Sequence, residues 1–254
     1  MVLQVGSLMW LRTIMNYQYR YGVSALVAAR TLYAEGGVAR FYRGLGPALL
    51  QGPVLRFGDT AANAGVLALF EGTEARHWPV WVQTMFASSL AASMRIALLP
   101  VDTLKTVLQV EGGRGLPRLA AKWRGLGAPV FFRGALASSA ATFVSHYPWF
   151  TVFNMLNDAL PNYPERHRQI LRDASIGFGA SVCSDSVSNS LRVLKTCRQT
   201  GELLGYRAIA RRVLATEGLT GLLGRGLPMR LMVNGCSGMG FSVSYKLFEE
   251  YIRR

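Results

Sequence analysis

The chain has 254 residues, half of them hydrophobic and only 17% charged, and carries a formal net charge of +14. That charged fraction falls below the usual quarter and argues against an ordinary soluble domain. The 28 Lys and Arg lie scattered around apolar segments instead of forming an aromatic-laced stripe, which argues against nucleic-acid binding. His77, His146 and His167 lie far apart, with no nucleophile–base pair or metal-ligand spacing, and Cys183, Cys197 and Cys236 form no CxxC, so neither an enzyme nor a metal site is expected.

In chain order, the periodicity and breakers predict helices over Val2–Tyr19, Ser24–Ala34 and Leu45–Phe70. The next long helix runs from Val80 to Gln109 and bends at Pro100, where the ring removes a donor and crowds the preceding turn. A short surface helix follows over Leu116–Trp123, then a long one over Ala135–Leu160 with Pro148 inside it. The last three elements are Gln169–Gln199, Tyr206–Thr216 and Leu227–Ile252. Gly36-Gly37, Glu111-Gly112-Gly113, Pro161–Pro164 and Gly201–Gly205 punctuate them.

Three runs lack Asp, Glu, Lys and Arg: Val80–Met94, Gly134–Asn157 and Leu231–Tyr245. They approach the ~20 apolar residues a spanning helix needs, and the abundant small residues suit helices packed closely in lipid. The expectation is a membrane protein whose basic loops face an anionic surface. The start, MVLQVGSLMWLR, shows no secretory signal.

Two markers repeat along the chain on one beat. Gln18, Gln109 and Gln199 end helices and are spaced 109 − 18 = 91 and 199 − 109 = 90. Gly44 of FYRG, Gly134 of FFRG and Gly226 of LGRG are spaced 134 − 44 = 90 and 226 − 134 = 92. Two markers with one period read as a tandem triplication: a single domain, 1–254, of repeats 1–75, 76–165 and 166–254.

These residues resemble the mitochondrial carrier family, whose repeat carries Pro-x-acid-x-x-base, a glutamine, then Gly-x-x-x-x-aromatic-base-Gly. The second repeat matches through Pro100, Asp102, Lys105 and Gln109, then Gly127, Phe132, Arg133 and Gly134. The first keeps Gly37, Tyr42, Arg43 and Gly44. The third keeps Lys195, Gln199, Gly218, Arg225 and Gly226. The resemblance implies an all-α membrane protein of six transmembrane helices in three pseudo-threefold repeats, with short matrix-side helices, in the mitochondrial inner membrane. It also implies solute transport by alternating access. A kink at Pro100 and a matrix gate of Asp102, Lys105, Arg192 and Lys195, braced by Gln18, Gln109 and Gln199, follow from the same comparison. So does cardiolipin, at Tyr42, Arg43, Gly44, Phe132, Arg133, Gly134, Arg225 and Gly226, where helix starts can hold a phosphate.

The chain departs from that pattern in three places. Met9, Leu11 and Ile14 replace proline, acid and base in the first repeat, and Ser190 and Arg192 replace proline and acid in the third. The second gate, late in each second helix, falls on Ala64 and Leu67, Asn154 and Asn157, and Lys246 and Glu249. The substrate-contact positions, Gln51, Gly52, Ala141, Thr142, Val233 and Asn234, are uncharged, with Arg56, Arg95, His146 and Arg230 within a turn. Arg56 and Arg230 can equally pair with acids, and His146 can simply pack among its aromatic neighbours. Met9 has eight residues before it and Pro100 about 20 before it in its own helix. The first helix is therefore expected to be short, leaving a notch to be filled by upstream sequence or a neighbour. Two functions follow: a carrier with a weakened gate and unknown substrate, or a transport-inactive accessory subunit of a larger inner-membrane complex. In the second, other subunits pack near the first helix.

Overall fold

The computed structural model describes residues 2–71, 73, 78, 80–201 and 203–237. Ten helices account for nearly all of them: α1 (Val2–Tyr21), α2 (Ala25–Phe41), α3 (Leu45–Glu71), α4 (Val80–Ala97), α5 (Leu99–Glu111), α6 (Gly115–Leu126), α7 (Ala135–Ala159), α8 (Arg166–Thr200), α9 (Tyr206–Gly224) and α10 (227–237). Their starts and stops follow local chemistry. The Ser24 hydroxyl accepts the Val27 amide at the head of α2. Gly112 (φ 61) closes α5 and Gly127 (φ 70) closes α6, in the left-handed region that glycine enters without strain. The long helix expected over 80–109, bent at Pro100, is interrupted at Leu98 (φ −85, ψ 1), with the Leu98 amide still donating to Met94 and the Asp102 amide to Leu98. Pro100 then sits in the first turn of α5, where a missing N–H costs nothing.

The expected six-span membrane fold is corrected here: the molecule is all-helical, but no described helix is long and apolar enough to cross a membrane. The reason lies in each helix's make-up. With 35 residues, α8 has ample length, at ~1.5 Å per residue, but carries Arg172, Asp173, Asp185, Arg192 and Lys195 along it. Its neighbour α7 is free of charge until Asp158, yet polar groups from Ser138 to Asn157 interrupt it. The 18 residues of α4 hold Gln83, Thr84, three serines and Arg95, and α5 is 13 residues long.

The helices pack in sequence and close on themselves. Going round, α1 lies on α3, α3 on α4 and α5, α4 on α7, and α7 along α8 in the longest contact of the molecule. From α10, Met229 and Val233 return to α1, joining Leu11, Ile14 and Met15 in the largest apolar cluster. At one end α1, α5 and α8 also meet one another directly, and α2, α6 and α9 brace that end from outside. The site lies where these three helices converge.

Candidate functional site

The convergence is built from one local device used three times. Gly44, Gly134 and Gly226 all have positive φ (89, 101 and 65), and each seats its loop on the next helix. A Cβ at Gly44 would stand 3.0 Å from the Lys105 carbonyl, and at Gly134 3.2 Å from Gln199 Cγ. At Gly226 it would stand 2.8 Å from the Tyr19 ring. Only glycine fits both the φ and the space. The Thr13 hydroxyl donates to the Phe41 carbonyl and Thr103 to Phe131, both at 2.7 Å. In the third repeat Asn189 donates to Leu223 and Arg225.

A base then finishes each convergent helix by donating to its orphan C-terminal carbonyls, where the helix dipole also favours positive charge. Arg40, 1% exposed, donates to the carbonyls of Gln109 and Val110 and pairs with Glu35 at 2.8 Å. Lys122 donates to Gly201 at 2.8 Å. Arg225 donates to Tyr19 and Arg20 and pairs with Glu217. Each repeat thus finishes a helix of the next, and the third returns to the first.

Asp102 is the centre of the layer above. Its side chain is buried, and its two oxygens are divided between three repeats. Oδ1 accepts from Lys105 at 3.0 Å and Gln51 at 2.9 Å. Oδ2 meets Lys195 at 2.6 Å and Gln199 at 3.0 Å. Gln51 also accepts from Lys105, and Gln199 donates to Thr103 as well. Burial opposes the ionised form of Asp102, but the charges of Lys105 and Lys195 and the Gln199 hydrogen bond outweigh it. The carboxyl is held well below its ordinary value.

A second cluster rests on Asp185, two helical turns before Arg192 on α8. Its Oδ1 meets Arg230 at 2.6 Å and, more loosely, Arg192 at 3.8 Å; Oδ2 accepts from Asn234. Arg192 also donates to the Ser188 hydroxyl at 3.3 Å. The gate positions therefore divide between two clusters: Asp102, Lys105 and Lys195 in one, Arg192 in the other.

The remaining predicted residues fall as follows. Of the three glutamines only Gln199 braces an ion pair. Gln109 accepts from Asn16 and lies 3.4 Å from the Met9 sulfur, while Gln18 donates to its own Val23 carbonyl. Ala141 and Thr142 are buried in α7, with Thr142 donating to Ser138. Val233 lies in the core, and Gly52 packs close to Val5. His146 stands edge-on to Phe150 at 6.3 Å. Arg95 lies in the last turn of α4. Arg56, Ala64 and Leu67 belong to α3, with side chains outside the described part, and Lys246 and Glu249 lie outside the described residues. Asn157 accepts from Arg172, which caps the end of α7 through the Asn157 and Leu160 carbonyls. At the helix starts Arg43 and Phe132 are exposed, Arg133 and Tyr42 are half-buried, and Gly44, Gly134 and Gly226 are buried.

Sequence reasoning missed Asp185, Arg40, Lys122 and Tyr19. Asp185 stands outside any motif; its only signal is the seven-residue step to Arg192, which puts both on one helical face. For Arg40 and Lys122 no linear signal exists, because their partners are carbonyls 69 and 79 residues away. No protein-family model matches this sequence, and no curated protein is detectably similar to it.

Proposed function

We propose that the chain is a non-catalytic structural subunit of a larger assembly at the mitochondrial inner membrane, built on repeats akin to those of the mitochondrial carriers. One observation carries this reading. Side chains that the resemblance reserves for a solute are used up internally: Gln51 by Asp102 and Lys105, Arg230 and Asn234 by Asp185. A solute entering there would have to break a buried pair, and removing one partner of such a pair costs several kcal/mol.

Surface chemistry supports the assembly. Leu26, Tyr33, Phe57, Leu69, Leu136 and Tyr147 are each at least 60% exposed, on α2, α3 and α7. Apolar surface of that extent marks contact with protein or lipid. The lipid proposed is cardiolipin, at the starts of α3 and α7 beside the exposed Arg43 and Phe132. Under mild detergent the protein should co-migrate with a complex far larger than its own 27.8 kDa. Migration as a lone chain sinks the reading.

Solute exchange is the second reading, supported by accessibility. The side chains of Lys105, Lys195, Arg192 and Arg230 retain 18–24% of their surface although they sit at the convergence of the helices. Reconstitution in liposomes with a panel of neutral and weakly charged metabolites tests it; folded protein with no flux for any of them excludes it.

A further inference from the structure

Two of the bracing helices, α6 and α9, touch the rest of the molecule by narrow stripes. From α6, Gly115 and Leu119 are buried; from α9, Ile209, Val213 and Gly221. Steps of three and four residues keep each stripe on one side of its helix. Lys122 donates to the Gly201 carbonyl, which ties α6 to the loop from which α9 starts. The outward faces hold Trp123, 53% exposed, and Leu219, 67% exposed, among exposed Arg114, Arg124, Arg207 and Arg211. The acids nearby are engaged: Glu111, with 6% of its side chain exposed, pairs with Arg118 at 3.3 Å, and Glu217 pairs with Arg225. Among the described residues 111–126 and 205–224, no Asp or Glu is exposed.

The choice of base says what such a surface meets. Apart from His167, every exposed base among the described residues is an arginine, while Lys105, Lys122 and Lys195 are half-buried. Hydration and attraction to an anionic lipid surface do not distinguish the two bases, since each carries one charge. Arginine differs in its planar fork, which takes a carboxylate through two parallel N–H bonds, and in its weaker hydration. Trp and Arg together, with Lys, Asp and Glu scarce, are the composition of protein–protein interfaces. A nucleic acid also suits the fork, but its interfaces are more polar and would leave the exposed leucines uncovered.

We propose that the outer faces of α6 and α9 form a docking surface for an acidic, amphipathic segment of a partner protein. Its carboxylates meet Arg124, Arg207 and Arg211, and its apolar residues cover Trp123 and Leu219. The proposal rests on the structural-subunit reading and names the side of the chain that faces the assembly.

Two measurements test it. The first compares wild type with R207E/R211E on a native gel under mild detergent. Wild type in a large complex and the variant released from it is the expected result. Both in the complex overturns the docking surface and leaves the structural-subunit reading standing; wild type alone overturns both. The second titrates the purified full chain, in the same detergent, with a labelled amphipathic peptide of Glu and Leu heptads, phosphatidylglycerol vesicles and single-stranded RNA. The peptide should bind best, weaken with added salt, and lose roughly tenfold in affinity in R207E/R211E. R166E/R168E makes the same change of charge at the other end of α8, roughly 45 Å from the convergence at ~1.5 Å per residue, and should lose less than about twofold. Should α9 not tolerate the double change, R124E on α6 carries both measurements. Tighter binding of the vesicles or the RNA than of the peptide overturns the surface, and so does an equal loss in R207E/R211E and R166E/R168E.

Discussion

The ring of seats and caps, and the ion-pair layer just above it, draw on the same three segments of chain, 1–75, 76–165 and 166–254, and differ in how regularly they do so. In the ring every repeat does the same job: a positive-φ glycine sits on the next helix, and a base finishes it. In the layer no two repeats agree. The second supplies Asp102, the third an acid displaced by two turns, and the first no charge at all. The glycine seat cannot be supplied by a neighbouring residue, since it needs both the positive φ and the missing Cβ. A cap or an ion pair needs only a charge within reach, and the caps come from Arg40, Lys122 and Arg225 at three different distances in sequence from their glycines.

The contrast can be broken at its strongest point first. Replacing Asp102 by Ala leaves Lys105 and Lys195 facing each other half-buried and should cost about 2–4 kcal/mol, read from denaturant unfolding. In the ring, Gly226→Val must move the Tyr19 ring and adopt φ 65, for a loss of about 2–3 kcal/mol by the same measurement. Arg40→Ala removes a buried side chain and uncovers two carbonyls, for about 2 kcal/mol, while Lys122→Ala, half-exposed and with one bond, should cost about 1. Equal losses for the two caps would show that burial does not decide their worth. Smallest is Arg192→Gln: it removes a charge paired only loosely with Asp185, at 3.8 Å, and should change stability by less than about 0.5 kcal/mol.

Acid sharpens the same comparison. Asp102 has its folded value depressed below 3.8, so the stability it supplies is present above that pH and is lost as pH falls through the folded value. The difference between wild type and D102N should therefore hold constant from about pH 7 to 5 and shrink below about 4. The Lys122→Ala difference should change much less over that range, as its bond is to the neutral Gly201 carbonyl and a carboxylate, Glu111, acts on it only through its field.

How far the sequence carried depends on the range of the interaction. Helix positions were legible because capping and breaking are local: Ser24, Pro100, Gly112 and Gly127 each act within a turn. Asp102, Lys105, Lys195 and Gln199 were legible as a group because a repeat period brings them into register. The spanning expectation failed because charge-free runs describe stretches of sequence, whereas crossing a membrane depends on the composition of a whole helix, and α8 carries its charges throughout. Asp185 and Tyr19 were illegible because their meaning lies in partners on helices distant in sequence, Arg230 in one case and Gly226 in the other.

The cap on α1 has a consequence in time. Arg225 reaches back across 206 residues to the Tyr19 carbonyl, and Cys197 across 178. At a synthesis rate of ~5–20 residues per second, the first helix waits roughly 10–40 s before the residue that completes it has been made. This protein therefore cannot mature in the order it is written: its beginning is finished by a late arrival, and a ribosome stalled anywhere between should leave α1 with an open end for a chaperone to hold.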